Sequence, residues 1–259
     1  MRTTTTTIRV VGASFAAAAA LALSVGPAFA ADGSVTANLK PVAGSGVNGS
    51  GTAMVDVQGN TITVTMAANG LLADSPHAAH IHFAAEARHE CPILSDDKNG
   101  DGHLNTTEGG PAYGDIVVSL TKTGDTSPKS GLAIDRFSTA PGGKIAYQRG
   151  SIQVSSEVAQ AITAGQSVVV IHGVDYNKDG KYSGSTKSDL MPSLPTEATD
   201  PALCGALRVA PVGGMHTGGG LDTVKSGGQN EALMLVGGGA LLAAAGTGAF
   251  AARRARSRA

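Results

Sequence analysis

Thr52-Ala53-Met54-Val55-Asp56-Val57 and Thr61-Ile62-Thr63-Val64-Thr65-Met66, parted by a turn at Gly59-Asn60, decide the fold class. Apolar and polar residues alternate in both runs, the period of a strand with one face on a core and the other in water. The pair reads as a β-hairpin. Similar runs occupy residues 34–39, 78–83, 115–120, 145–149, 151–155, 167–172 and 206–210. Only residues 157–163 carry helical spacing, with Ser155 or Ser156 to cap the helix and Gly165 to end it. Many short strands between turn residues predict an all-β antiparallel sandwich or barrel with one short helix.

Working outward, the 259 residues suit one compact domain with appendages. Aromatic residues make up 3 % and Trp is absent, which argues against an aromatic-lined cofactor site or a base-stacking surface. Residues 31–231 hold all 20 acidic but only 13 of the 19 basic residues, a net of −7, which repels nucleic acid and suits cations. Residues 1–30 read as a signal peptide: Arg2 and Arg9, an apolar stretch, then Ala28-Phe29-Ala30 as the cleavage triplet. An uncleaved amino-terminal anchor is the alternative. Residues 211–231 form a Gly-rich linker, and residues 232–252 are uncharged and long enough to cross a bilayer as a transmembrane helix. The basic tail, 253–259, belongs on the cytoplasmic side, so the acidic domain is expected outside, anchored at the cell surface. Thr217-Gly218-Gly219-Gly220 before spacer, span and Arg tail resembles the cell-wall sorting signals of Gram-positive bacteria, though without their Leu-Pro-x-Thr-Gly.

Three groups of residues carry chemistry. His80 and His82 lie two apart on an expected strand, so their imidazoles leave the same face, and His172 ends the apolar run Val168-Val169-Val170-Ile171. Neutral imidazole suits copper or zinc, whereas satisfied polar residues on a half-buried sheet are the plainer interpretation. Cys91 and Cys204 are the only cysteines, and in an exported chain a disulfide is expected between them, free thiols being the alternative. Asp97, Asn99, Asp101, Gly102, His103 through its carbonyl, and Glu108 fit a twelve-residue calcium loop. Its flanks do not look helical, which points to a loop inserted in a β domain. Asp175, Asn177 and Asp179 repeat the first half of that pattern, with Thr186 at the twelfth place and Asp189 as a substitute, or else form a plain Asn/Asp/Gly turn.

Together these residues resemble the Cu/Zn superoxide dismutase superfamily, and more closely the CHRD domain, a secreted relative of that fold. The CHRD likeness runs from Pro41-Val42-Ala43 through Gly51-Thr52-Ala53-Met54-Val55 to His77-Ala78-Ala79-His80-Ile81-His82, and returns in the helix before Val168 to His172. The dismutase likeness rests on His77 before the His-x-His, Cys91 after it, His172 on an apolar strand, and Cys204-Gly205-Ala206-Leu207. It implies a Greek-key β-sandwich, a Cys91–Cys204 disulfide, and copper at His80, His82 and His172, with His77 or His103 as auxiliary ligands. The chain departs from that family at its zinc site, where Ala112-Tyr113 precedes Gly114-Asp115 and His103 alone remains, and at the guiding arginine, whose place Pro201 takes. The expected function is therefore a surface-anchored CHRD-type domain, residues 31–210, that binds calcium and copper in a structural or binding role. A copper-only superoxide dismutase is the alternative.

Overall fold

The computed structural model describes residues 32–209, so the signal segment, linker, apolar span and basic tail lie outside the described residues. Among the described residues no helix is long and apolar enough to cross a membrane.

Eleven strands and two α-helices follow one another as β1 (Gly33–Pro41), β2 (Ser50–Gln58), β3 (Thr61–Asn69), β4 (Pro76–His77), β5 (Ala79–Phe83), α1 (Thr106–Tyr113), β6 (Asp115–Ser119), β7 (Ser138–Thr139), β8 (Ile145–Gln153), α2 (Ser156–Thr163), β9 (Val168–His172), β10 (Pro201–Ala206) and β11 (Arg208–Val209). The main sheet runs β6-β5-β9-β10-β1-β2-β3-β8, with β11 beside β1, while β4 and β7 form a separate ribbon. Every pairing is antiparallel. The sheet curls at β1, whose residues 33–39 pair with β2 while Lys40 and Pro41 pair with Cys204 and Leu203 of β10. Curling brings Val35, Val55 and Val64 from one half against Ile81, Val169 and Ile171 from the other, in one core. The outermost strands, β6 and β8, are linked by side chains: Tyr147 and Arg149 of β8 both donate to the Thr121 carbonyl beyond β6, at 3.2 and 2.7 Å.

The half that holds β9 is covered on both faces, which explains its unbroken apolar sequence. Val169 and Ile171 face the main core, whereas Val168 and Val170 join Val42, Leu104, Tyr113 and Cys204 in a second cluster. Residues of the long 84–114 connection form that second cover, and the Cys91–Cys204 disulfide, spanning 113 residues, ties it to β10. Both cysteines are thus paired, as expected.

Three expectations need correction. The domain has two helices instead of one, because α1 follows the acidic loop directly. A capping box builds it: the Asn105 side chain accepts from the Glu108 amide, and the Glu108 carboxylate accepts from the Asn105 amide. Gly109, Gly110 and Pro111 are poor helix formers and hide it from spacing and propensity. Residues 145–149 and 151–155 are not separate strands; Gly150 and Ser151, the latter at φ 57°, make a bulge inside the single strand β8. The closing strand begins at Pro201, earlier than the alternation at 206–210 suggests, because β10 is buried on both faces and does not alternate.

Candidate metal centre

Register fixes where the histidines point. Across β5 and β9, His80 lies opposite Val170 and His82 opposite Val168, and directly opposed residues share a face. His172, two residues beyond Val170, leaves that same face. One ring nitrogen from each of His80, His82 and His172 falls within 4.8 Å of the other two. Among the described residues this is the group of histidine, cysteine and acidic side chains that converges in this way.

Each ring is held by its other nitrogen. His80 Nε2 donates to the Gly131 carbonyl at 3.0 Å, His82 Nδ1 to that of Gly114 at 2.9 Å, and His172 Nδ1 to that of Thr199 at 2.6 Å. A donating nitrogen fixes the tautomer, so His80 Nδ1, His82 Nε2 and His172 Nε2 carry free lone pairs. These three atoms are buried and have no hydrogen-bond partner. Buried polar atoms are almost always satisfied, so three unsatisfied acceptors brought this close together form a group that could hold a metal ion, with the three carbonyls orienting the rings. Phe137 packs edge-on to His80 at 5.3 Å between centroids, and Tyr113 lies against His82 at 4.5 Å. Gly114 is a backbone necessity: at φ 87° it caps α1, and a Cβ there would stand 2.5 Å from the Ala84 nitrogen.

Burial also sets the protonation state. Residues His80, His82 and His172 are 3, 1 and 3 % exposed. Loss of solvent, reinforced by the His172 charge, pulls His82 down to about 3. Desolvation pulls His172 down to about 4 and His80 well below the usual imidazole range. All three are neutral at pH 7, the form that ligates.

The remaining candidates sit elsewhere. Both ring nitrogens of His77 lie against backbone carbonyls, Nδ1 2.8 Å from that of His172 and Nε2 3.0 Å from that of Leu72, so the neutral ring donates to one of the two, with Tyr182 packed against it. His103 is half-buried, bonded through Nδ1 to the Gly44 carbonyl and lying tilted against Tyr176 at 3.9 Å between ring centroids. Neither joins the three converging rings.

In the acidic loop, Asp97 accepts from Gly100 and Gly102, Asn99 from Asp101, and Asp101 from His103. Glu108 Oε1 accepts from the amides of Lys98 and Asn99, and its Oε2 from that of Asn105. The second loop repeats this closure. Asp175 accepts from Asp179 and Gly180, and Asn177 from Asp179. The carboxylate that closes it is neither Thr186 nor Asp189 but Glu197, whose Oε1 accepts from Tyr176 and Asn177 and Oε2 from Ser183. Asp189 instead accepts from the Thr107 amide at 2.6 Å. Glu197 lies far outside a twelve-residue frame, so no sequence spacing signals it. The carbonyls of Gly114, Gly131 and Thr199 carry no sequence signal at all, since every residue has one.

No protein-family model and no curated protein matches the chain. Among solved structures, a mutant of Candida albicans superoxide dismutase 5 is similar over 69 % of this chain and 90 % of that one, at 15 % identity and a TM-score of 0.36.

Proposed function

We propose that this chain is a secreted, surface-anchored domain of the CHRD type, on a Greek-key sandwich like that of the superoxide dismutase superfamily, which holds one copper ion at His80, His82 and His172 in a structural or binding role. One observation carries the reading: three buried imidazoles present unpartnered nitrogens to one point while backbone carbonyls hold their opposite nitrogens. The resemblance of the His-x-His and late-histidine spacing to the copper ligands of that superfamily supports the choice of metal. Copper supplies a Lewis-acidic, one-electron centre when bound. The protein's own groups orient the rings, hold each in one tautomer and keep water out.

The binding role is preferred to superoxide turnover because the three histidines are no more than 3 % exposed, and a catalytic metal keeps a position open to substrate. Calcium at Asp97, Asn99, Asp101 and Glu108, and at Asp175, Asn177 and Asp179, belongs to the same proposal, with the ion ordering the loops beside the centre. So does anchoring through residues 232–252, with wall attachment after Thr217 as a variant of it. Elemental mass spectrometry of the full-length chain, dialysed against copper, zinc and calcium, tests the reading. One transition-metal ion per chain, absent from His80→Ala, supports it, and no transition metal in a folded chain overturns it.

A further inference from the structure

The three-histidine centre has a chemical character beyond its ability to hold a metal. We infer that it selects copper(I) over copper(II) and zinc(II), and keeps the bound ion in the cuprous state. The inference rests on the reading that these histidines hold a metal and adds which ion they hold.

Charge is the first ground. All three donors are uncharged, and no carboxylate or thiolate joins their cluster among the described residues. Asp200 and Asp189 stand outside the ligand cluster, Asp200 accepting from the hydroxyls of Thr196 and Tyr176 at 2.8 and 3.0 Å and Asp189 from the Thr107 amide, so neither charge is a ligand to an ion there. A monovalent ion therefore gives the site a net charge of one, and a divalent ion a net charge of two. The cost of burying an ion grows with the square of its charge, so the divalent complex is penalised about fourfold more in Born terms. The side chains packed against the rings are apolar or uncharged, Phe137 and Tyr113 with strand residues such as Val168 and Val170, and add no ligand charge of their own.

Coordination number is the second ground. Zinc in closed sites takes four ligands in a tetrahedron, and copper(II) prefers a tetragonal set of nitrogen and oxygen donors. Copper(I), a closed-shell monovalent ion, is satisfied by three nitrogens. The rings cannot turn to serve another geometry, because carbonyls from three separate segments, at Gly114, Gly131 and Thr199, hold their far edges. His77 and His103 lie outside the converging group and do not supply a fourth nitrogen.

The test uses the metal-free full-length chain under anaerobic conditions. Copper(I) is titrated in competition with bicinchoninate, zinc(II) in competition with a chromophoric chelator, and copper(II) is followed by electron paramagnetic resonance. The expected result is one copper(I) per chain, bound at least ~100-fold more tightly than zinc(II), with no cupric signal after exposure of the loaded protein to air. Binding of zinc(II) as tight as that of copper(I), or a full cupric signal in air, overturns the selectivity while leaving a three-histidine metal site in place. Failure of the folded chain to bind any of the three overturns the parent reading instead. His80→Ala and His82→Gln are both measured, with circular dichroism and thermal unfolding of each metal-free variant separating lost ligation from lost fold.

Discussion

Acidification of the metal-free protein weighs the buried imidazoles directly. His82 and His172 titrate near 6.5 when unfolded but at about 3 and about 4 in the fold, and His80 is also strongly lowered. The unfolded chain therefore takes up protons that the fold refuses. Stability is fully present above pH 6.5 and falls as the pH drops from there toward the folded values. Each ring contributes a slope approaching ~1.4 kcal/mol per pH unit, so three contribute ~4 kcal/mol per unit, and His77, which burial also pulls below the usual imidazole range, adds to the same loss. Asp200 works the other way. Burial pushes its carboxyl up to about 7, so the fold takes up a proton that the unfolded chain at the same pH does not, and acidification returns ~1.4 kcal/mol per unit. The net loss is at least ~2 kcal/mol per unit between pH 6.5 and 5, a window above the ordinary carboxylate range. Urea unfolding at pH 7, 6 and 5 measures it. Stability that stays level or rises over that interval refutes the protonation states assigned to the centre. In a variant with all three rings replaced by Gln, the loss should shrink to the small difference between the opposing contributions of His77 and Asp200.

Reduction of Cys91–Cys204, or its replacement by a pair of alanines, is expected to lower the unfolding free energy by ~4 to 5 kcal/mol, read from denaturant midpoints under oxidising and reducing conditions. Gly114→Ala forces a Cβ toward Ala84 and displaces the carbonyl that holds His82, so metal affinity should fall ~10- to 100-fold in chelator competition. Phe137→Ala removes a fully buried ring from beside His80 and should cost ~3 to 5 kcal/mol in chemical unfolding. Added calcium should raise the melting temperature of the wild-type chain, and Glu197→Gln should reduce that rise; no response to calcium in either protein removes the ion from the acidic loops.

The sheet was legible wherever one strand face meets water. Thr52 to Val57 and Thr61 to Met66 alternate because β2 and β3 are covered on one side, and the structure places both there in register. Legibility failed where burial is two-sided or where local propensity yields to tertiary contacts. Residues Pro201 to Ala206 show no period because five of the six are buried. α1 is invisible because Gly109 and Gly110 weaken it, although Gly109 is required: a Cβ there would strike the Tyr113 ring that packs on His82. At the centre, the spacing of His80 and His82 gave their common face, but the arrival of His172 depends on the pairing of β5 with β9, which links residues far apart in sequence. From the sequence His77 is expected at most as an auxiliary ligand, and the structure sets its ring against two backbone carbonyls, outside the converging group.

The carbonyls that hold the three rings come from segments ending α1, following β6 and preceding β10, so the centre is assembled only when the chain is almost completely folded. The rings are also sealed from water. An ion held there leaves only when one of these segments parts from the sheet, and its residence time is then governed by local opening, whatever the strength of the metal–nitrogen bonds. Isotope exchange of a bound metal would run at the pace of whichever of these three segments opens most readily, making the ion a clock for breathing of the fold.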